Sequence, residues 1–95
     1  MKNSKTLIAK VKAAVETTAG VVGFSKLEFV EEESQENWIL IEQIQSGIDM
    51  KIGIIIDRNA VSKNITNEIN EVVKYVLKKE SLKLTKLIIY IKGVA

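Results

Sequence analysis

Two glycines separated by two residues, Gly20 and Gly23 in the stretch TAGVVGFS, form the only loop-like binding motif that we identify in this chain. In one class of RNA-binding module, a G-x-x-G loop clamps the nucleic-acid backbone. That loop joins two helices and usually carries a polar or basic residue between its glycines. Here Val21 and Val22 stand between them, and a strand-like pattern follows. The pattern therefore favours a structural turn, a helix terminator with two buried valines, over an RNA clamp.

The carboxylates do not form a catalytic pair or a metal site. Asp49 and Asp57 share one face of a predicted strand, but eight residues at about 3.3 Å each separate them by about 26 Å. Four glutamates cluster in EEESQEN, within residues 31–36, without the spaced ligands and turn glycine of a calcium loop. We interpret this stretch as a solvated loop, with weak binding of a divalent cation as the alternative.

Residue types that support catalysis are largely missing. The chain has no His and no Cys, which excludes Ser-His and Cys-His dyads, thiolate chemistry and most zinc sites. It has neither a nucleophile-elbow signature nor a phosphate-binding glycine-rich loop. We therefore expect a protein that is not an enzyme and that has no cofactor and no metal.

Length and composition predict one small globular domain. The chain has 95 residues, a hydrophobic content of 46% and a formal net charge of +2, so we expect a single domain over 1–95. A net charge this small does not by itself argue for nucleic acid. No apolar run is long enough to span a membrane, and lysines interrupt the first apolar stretch, so we expect neither a membrane span nor a signal peptide. The absence of Cys is compatible with a reducing, cytoplasmic setting.

The hydrophobic period predicts the order α-(β)-β-β-α-β. Ser4 or Thr6 is expected to cap the first helix, which Gly20 ends, and Ser62 or Asn64 to cap the second. A short strand is predicted over Phe24–Phe29, and further strands over 38–44, 48–57 and 84–92, with a turn at Gly47. The fold class is therefore α+β: a two-layer sandwich, with both helices on one face of a three- to four-stranded mixed sheet.

Three stretches together resemble the alkaline-shock protein family, small stress-associated proteins of Gram-positive and wall-less bacteria. They are VETTAGVVGFS, SGIDMKIGIIID and the helix–strand pair NITNEINEVVKYVLKK and LTKLIIYIKGV. The resemblance covers roughly the whole chain in order, although Thr66 stands where the family usually has proline. It implies a non-enzymatic cytoplasmic protein linked to envelope stress, sometimes recruited to the membrane by a partner. Some members are encoded beside a fatty-acid kinase.

The sheet face turned away from the helices is a candidate interface. If the even-numbered residues of 48–56 face the helices, the opposite face carries a large apolar set: Trp38, Leu40, Ile55, Ile88 and Tyr90. Extended apolar patches of this kind usually mark an interface, and Trp and Tyr commonly anchor one. We expect self-association through this face. The alternative is that residues 24–37 fold back over it.

Lysines near the end of the chain form a candidate basic patch. Between residues 74 and 92 only Glu80 is acidic, against Lys74, Lys78, Lys79, Lys83, Lys86 and Lys92. Such a patch suits phospholipid, RNA or an acidic partner. We favour a solvated face, because only Tyr75 and Tyr90 supply aromatic rings nearby.

Four functional hypotheses follow. The first is a non-enzymatic homo-oligomer acting through protein contacts. The second is a nucleic-acid module using Gly20–Gly23 and the basic patch, and the third is an accessory partner of a fatty-acid kinase. A ferredoxin-like metal carrier is the fourth, but it would lack soft ligands.

Overall fold

The computed structural model describes residues 4–30 and 36–95, which form two helices and four strands. In chain order the elements are α1 (Ser4–Glu16), β1 (Val21–Phe24), β2 (Ile39–Ile44), β3 (Gly47–Ile56), α2 (Ser62–Lys79) and β4 (Leu84–Val94). This order and the mixed sheet confirm the predicted α+β class.

The longest apolar alternation of the sequence, β3, lies at the centre of the sheet. β1 and β2 pair antiparallel with the two ends of one side of β3, and β4 pairs parallel with the other side. A tight turn joins β2 to β3, where Gly47 has φ +156°. A Cβ atom on Gly47 would lie 2.4 Å from the Lys83 carbonyl oxygen, so this turn requires glycine.

Both helices bury one apolar stripe against the same sheet face. The even-numbered residues of β3, from Ile48 to Ile56, are at most 5% exposed and pack in one cluster with both helices. The buried helix residues recur at the spacing that the sequence predicts: Leu7, Val11 and Val15 from α1, and Ile65, Ile69, Val73 and Leu77 from α2.

The link from α1 to the sheet corrects one strand and one packing prediction. β1 covers Val21–Phe24, before the predicted Phe24–Phe29 strand, and a turn occupies residues 28–30. Val22 is 53% exposed, so the prediction of two buried valines was wrong for this residue. Gly20 has φ +95° and follows α1 as predicted, at a position that disfavours side chains.

The start of α2 also differs from prediction. Ser62 is the first helical residue, and Val61 takes the N-cap position with no side-chain hydrogen bond. Neither Ser62 nor Asn64 is therefore the cap. The C-terminal end agrees with the sequence, since Lys78 and Lys79 lie in the last turn, where the helix dipole favours cations.

Candidate interface at the edge of the sheet

Trp38 is the main correction to the predicted open sheet face. It is only 4% exposed and belongs to the core cluster on the helix side. Its ring lies 4.4 Å from that of Phe24, and its indole Nε1 donates a 2.5 Å hydrogen bond to Glu36 Oε2. Because β2 begins at Ile39, Trp38 precedes the strand and does not follow its alternation. The prediction that Trp38 anchors an exposed face was wrong.

The other four predicted residues, Leu40, Ile55, Ile88 and Tyr90, are half-buried. Strand register confirms that Leu40 and Ile88 share the face turned away from the helices, since both are level with Lys51. Tyr90 is level with Gly53, and Ile55 pairs with Gly23. This face is therefore apolar as predicted, but it is not fully open.

Residues 25–30, here called the covering segment, lie over part of that face. Leu27 is fully buried, and its Cδ2 would lie 3.1 Å from a Cβ atom on Gly53. Main-chain bonds hold the segment in place: the Ser25 N–H donates to the Gly53 carbonyl, and the Leu27 N–H donates to the Asn37 carbonyl. The alternative in which this part of the chain folds back thus describes the structure better than a bare face.

The far end of the covering segment reaches β4. Phe29 meets Tyr90 edge-on at 5.8 Å, and Lys51 Nζ lies 5.1 Å from the centre of the Phe29 ring. Glu28 forms an ion pair with Lys92. The hydrogen bond from Lys92, its own backbone N–H and the nearby Lys92 charge lower the pKa of Glu28. The covering segment therefore closes only part of this face, through one buried leucine and through aromatic and ionic contacts that are exposed.

The outer edge of β4 carries main-chain groups that no described strand pairs with. The Ile48 N–H donates to the Lys83 carbonyl at 2.8 Å, so the even-numbered residues of β3 point their main-chain groups at β4. In a parallel pair, the N–H and C=O of one residue bond to the two residues that flank the level residue on the neighbouring strand. Since Met50 is level with Leu87 and Ile52 with Ile89, the inward-facing groups belong to residues 86, 88, 90 and 92. The N–H and C=O groups of Leu87, Ile89 and Ile91 therefore point outward.

A groove runs beside this edge on the helix side of the sheet. Its volume is about 410 Å³, and its lining comes from α2 and β4: Thr66, Asn67, Asn70, Leu87, Ile88 and Ile89. The apolar residues come from the middle of β4, and the polar residues from the flank of α2. Ile91, farther along the strand, is 39% exposed. The edge of β4 that no described strand pairs with thus adjoins a groove in which apolar residues of β4 meet polar residues of α2.

The six predicted patch lysines do not gather on one surface. Lys74, Lys78 and Lys79 belong to α2, in the helix layer, and Lys79 Nζ lies 5.3 Å from the centre of the Tyr75 ring. Lys86 and Lys92 lie on the opposite sheet face, at Asp49 and Glu28 respectively. Lys83 precedes β4. The prediction of a continuous basic patch was wrong, because the strand and the helix place their lysines on different layers.

Two further features bear on function. Most of the acidic stretch lies outside the described residues. Of its four glutamates, only Glu36 is described. Across 4–30 and 36–95, no three potential His, Cys, Asp or Glu ligands cluster, and neither helix has the length and hydrophobicity that spanning a bilayer requires.

Sequence reasoning missed the β4 edge as a site. The apolar composition of 84–92 predicted a strand, but nothing in the strand itself says whether one or both of its sides are paired. The order strand–helix–strand from β3 through α2 to β4 favours a crossover that places β4 beside β3. It does not say whether an earlier strand pairs with the other side of β4.

The comparisons with known proteins reach only the fold. No protein-family model matches the sequence, and no curated protein matches it. Among solved structures, a MamM CTD variant in its manganese form superposes with TM-score 0.66 at 12% identity, covering 94% of this chain and 96% of that one. A second variant, in its zinc form, gives TM-score 0.64 at 11% identity and covers 100% and 87% of the two chains. The chain shares its fold with MamM CTD.

Proposed function

We propose that this chain is a non-enzymatic protein that works through protein–protein contacts, and that it associates with itself through the outer edge of β4. The observation that carries the proposal is the row of outward main-chain groups at Leu87, Ile89 and Ile91, beside a groove lined by apolar residues of β4 and polar residues of α2. A second copy of β4 supplies the matching donors and acceptors.

The physical reason is that an unpaired strand edge is a template for another strand. β4 has 11 residues, whereas β2 on the other side of the sheet has 6, so β4 offers the longer edge. Its apolar residues also suit strand pairing, because β-branched and aromatic side chains pack well across strands. Lys86 and Lys92 are the features of β4 that oppose indiscriminate pairing.

A more specific biological role rests on the family resemblance alone. We propose an alkaline-shock type of protein, with its envelope-stress role and its membrane-anchored or kinase partner as predictions of that resemblance. Solved structures of MamM CTD variants include manganese and zinc forms, but we do not propose metal binding for this chain. The chain has no His or Cys, and its described residues contain no cluster of three potential ligands.

Sedimentation equilibrium over a range of protein concentrations tests the proposal. We expect the wild type to associate reversibly and the Ile91→Pro variant to associate at least tenfold more weakly. Proline removes an outward N–H from each copy, and two lost hydrogen bonds at about 1 kcal/mol each are sufficient for that change.

A proline on the other side of the sheet is the matched control. Gln43 is opposite Ile48, whose N–H points to β4, so the Gln43 N–H points away from β3 on the β2 side. Gln43→Pro should leave association unchanged. A wild type that stays monomeric at every concentration, or equal weakening by both prolines, would contradict the proposal.

A further inference from the structure

We infer that two copies pair their β4 strands antiparallel about a two-fold axis that passes through Ile88. This inference rests on the proposed self-association through β4 and specifies its register. In a two-fold interface, each residue meets its counterpart reciprocally. Residues directly opposite each other across an antiparallel pair have side chains on the same face of the sheet. Both residues of each such pair are therefore odd-numbered or both even-numbered, and the residue midway between them lies opposite its own copy at the two-fold axis. The choice is therefore among a few central positions of β4.

An axis through Ile89 brings like charges together. It places Lys86 directly opposite the partner's Lys92, and symmetry repeats this contact. Residues 86 and 92 both turn their main-chain groups toward β3, so they would form pairs without mutual hydrogen bonds, in which side chains are closest. Like charges directly opposite each other destabilise a sheet, which argues against this register.

An axis through Tyr90 shifts the pairing toward an irregular part of the strand. β4 changes register against β3 between the partners of Ile54 and Ile55, at residues 91–93. This axis would place Leu87 opposite the partner's Gly93 and Ile88 opposite the partner's Lys92. It thus pairs the apolar centre of one strand with a glycine and a charged residue of the other.

An axis through Ile88 gives compatible neighbours over residues 86–90, a range that lies between the two register shifts of β4 against β3. Ile88 meets its own counterpart, and Lys86 lies opposite the partner's Tyr90, where its aliphatic stem can pack on the ring. On the helix side, Leu87 exchanges main-chain hydrogen bonds with the partner's Ile89. This pairing is centred on residues 87–89, which are also the β4 residues that line the open groove beside Thr66, Asn67 and Asn70. The apolar side of the groove, formed by residues 87–89, thus lies at the axis, where the partner strand covers it.

Single cysteines test the register, because the chain has no Cys of its own. With the axis through Ile88, the two Ile88 Cα atoms are about 4.5 Å apart, within the disulfide range of about 4.4–6.8 Å. The two Ile89 Cα atoms are offset by two residues and lie about 8 Å apart, which is outside that range. We expect Ile88→Cys to form a disulfide-linked dimer at least tenfold faster than Ile89→Cys under mild oxidation.

A pair of mixtures tests the same register at other positions of β4. Lys86→Cys mixed with Tyr90→Cys should give the mixed disulfide, whereas Lys86→Cys mixed with Lys92→Cys should not. Circular dichroism of each reduced variant checks that it folds. If Ile88→Cys does not fold, the mixtures still test the register.

The outcomes separate the register from the association. A dimer by sedimentation that cross-links through Ile89→Cys or Tyr90→Cys instead would overturn the Ile88 axis and leave self-association standing. A protein that is monomeric at all concentrations and cross-links at none of these positions would overturn both.

Discussion

Replacing Leu27 with alanine tests whether the covering segment is packed on the sheet. Leu27 is fully buried although it belongs to no helix or strand, and it lies directly over Gly53. Leu27→Ala removes three buried carbons, worth about 2.5 kcal/mol at about 0.8 kcal/mol each, and the remaining cavity adds to this loss. We therefore expect a decrease of about 3 kcal/mol in the free energy of unfolding.

The assay is urea unfolding followed by the fluorescence of Trp38, the single tryptophan. In a domain of this size, a loss of about 3 kcal/mol also lowers Tm by roughly 12–24 °C. All proteins must be compared at one concentration, because self-association makes apparent stability depend on concentration.

Phe29→Ala is the matched control on the same segment. Phe29 is larger than Leu27 but 49% exposed, with contacts to Tyr90 and Lys51. Its removal should cost about 1 kcal/mol. The reasoning is refuted if Leu27→Ala destabilises the protein no more than Phe29→Ala does, since a buried leucine would then contribute no more than a surface ring.

Two further predictions concern the glycine motif and Glu28. Gly20→Ala should destabilise the fold by about 1–3 kcal/mol, because φ is +95° and the new Cβ would lie 2.6 Å from Ile65 Cδ1. Gly23→Ala, whose new Cβ would lie 4.0 Å from Ile55 Cδ1, should change stability by no more than about 0.5 kcal/mol in the same unfolding assay; equal effects would contradict a structural role for Gly20 alone. The carboxyl of Glu28 should titrate below its usual pKa in NMR and return toward it in Lys92→Met, since Lys92 is the main cause of the lowered pKa. Because the folded pKa is the lower one, the ion pair stabilises the fold above the unfolded-state pKa, and this contribution is lost as pH falls through the folded-state pKa; a Glu28 titration that Lys92→Met leaves unchanged would refute the ion pair.

Regular periodicity made most of the architecture predictable. The alternation of Ile48, Met50, Ile52, Ile54 and Ile56 identified β3 and the face that the helices cover. Helical spacing likewise identified the buried residues of both helices. These patterns are predictive because helices and strands repeat their side-chain directions at fixed periods.

The parts that were not predictable lie where no period applies. Trp38 precedes β2 and turns into the core, and Leu27 is buried from an irregular segment. Strand alternation assigns neither side chain to a face. The outward main-chain groups of β4 depend on which strand pairs with its other side, and this follows from the assembled sheet alone.

Amide hydrogen exchange as a function of protein concentration tests the β4 interface most directly. The N–H groups of Leu87, Ile89 and Ile91 point away from β3, whereas those of Lys86, Ile88 and Tyr90 are directed toward it. We predict that the first three exchange rapidly in dilute protein and gain protection as concentration rises, while the second three stay protected throughout. If the protein associates and the amides of Leu87, Ile89 and Ile91 exchange at the same rate at every concentration, the β4 edge is not the interface.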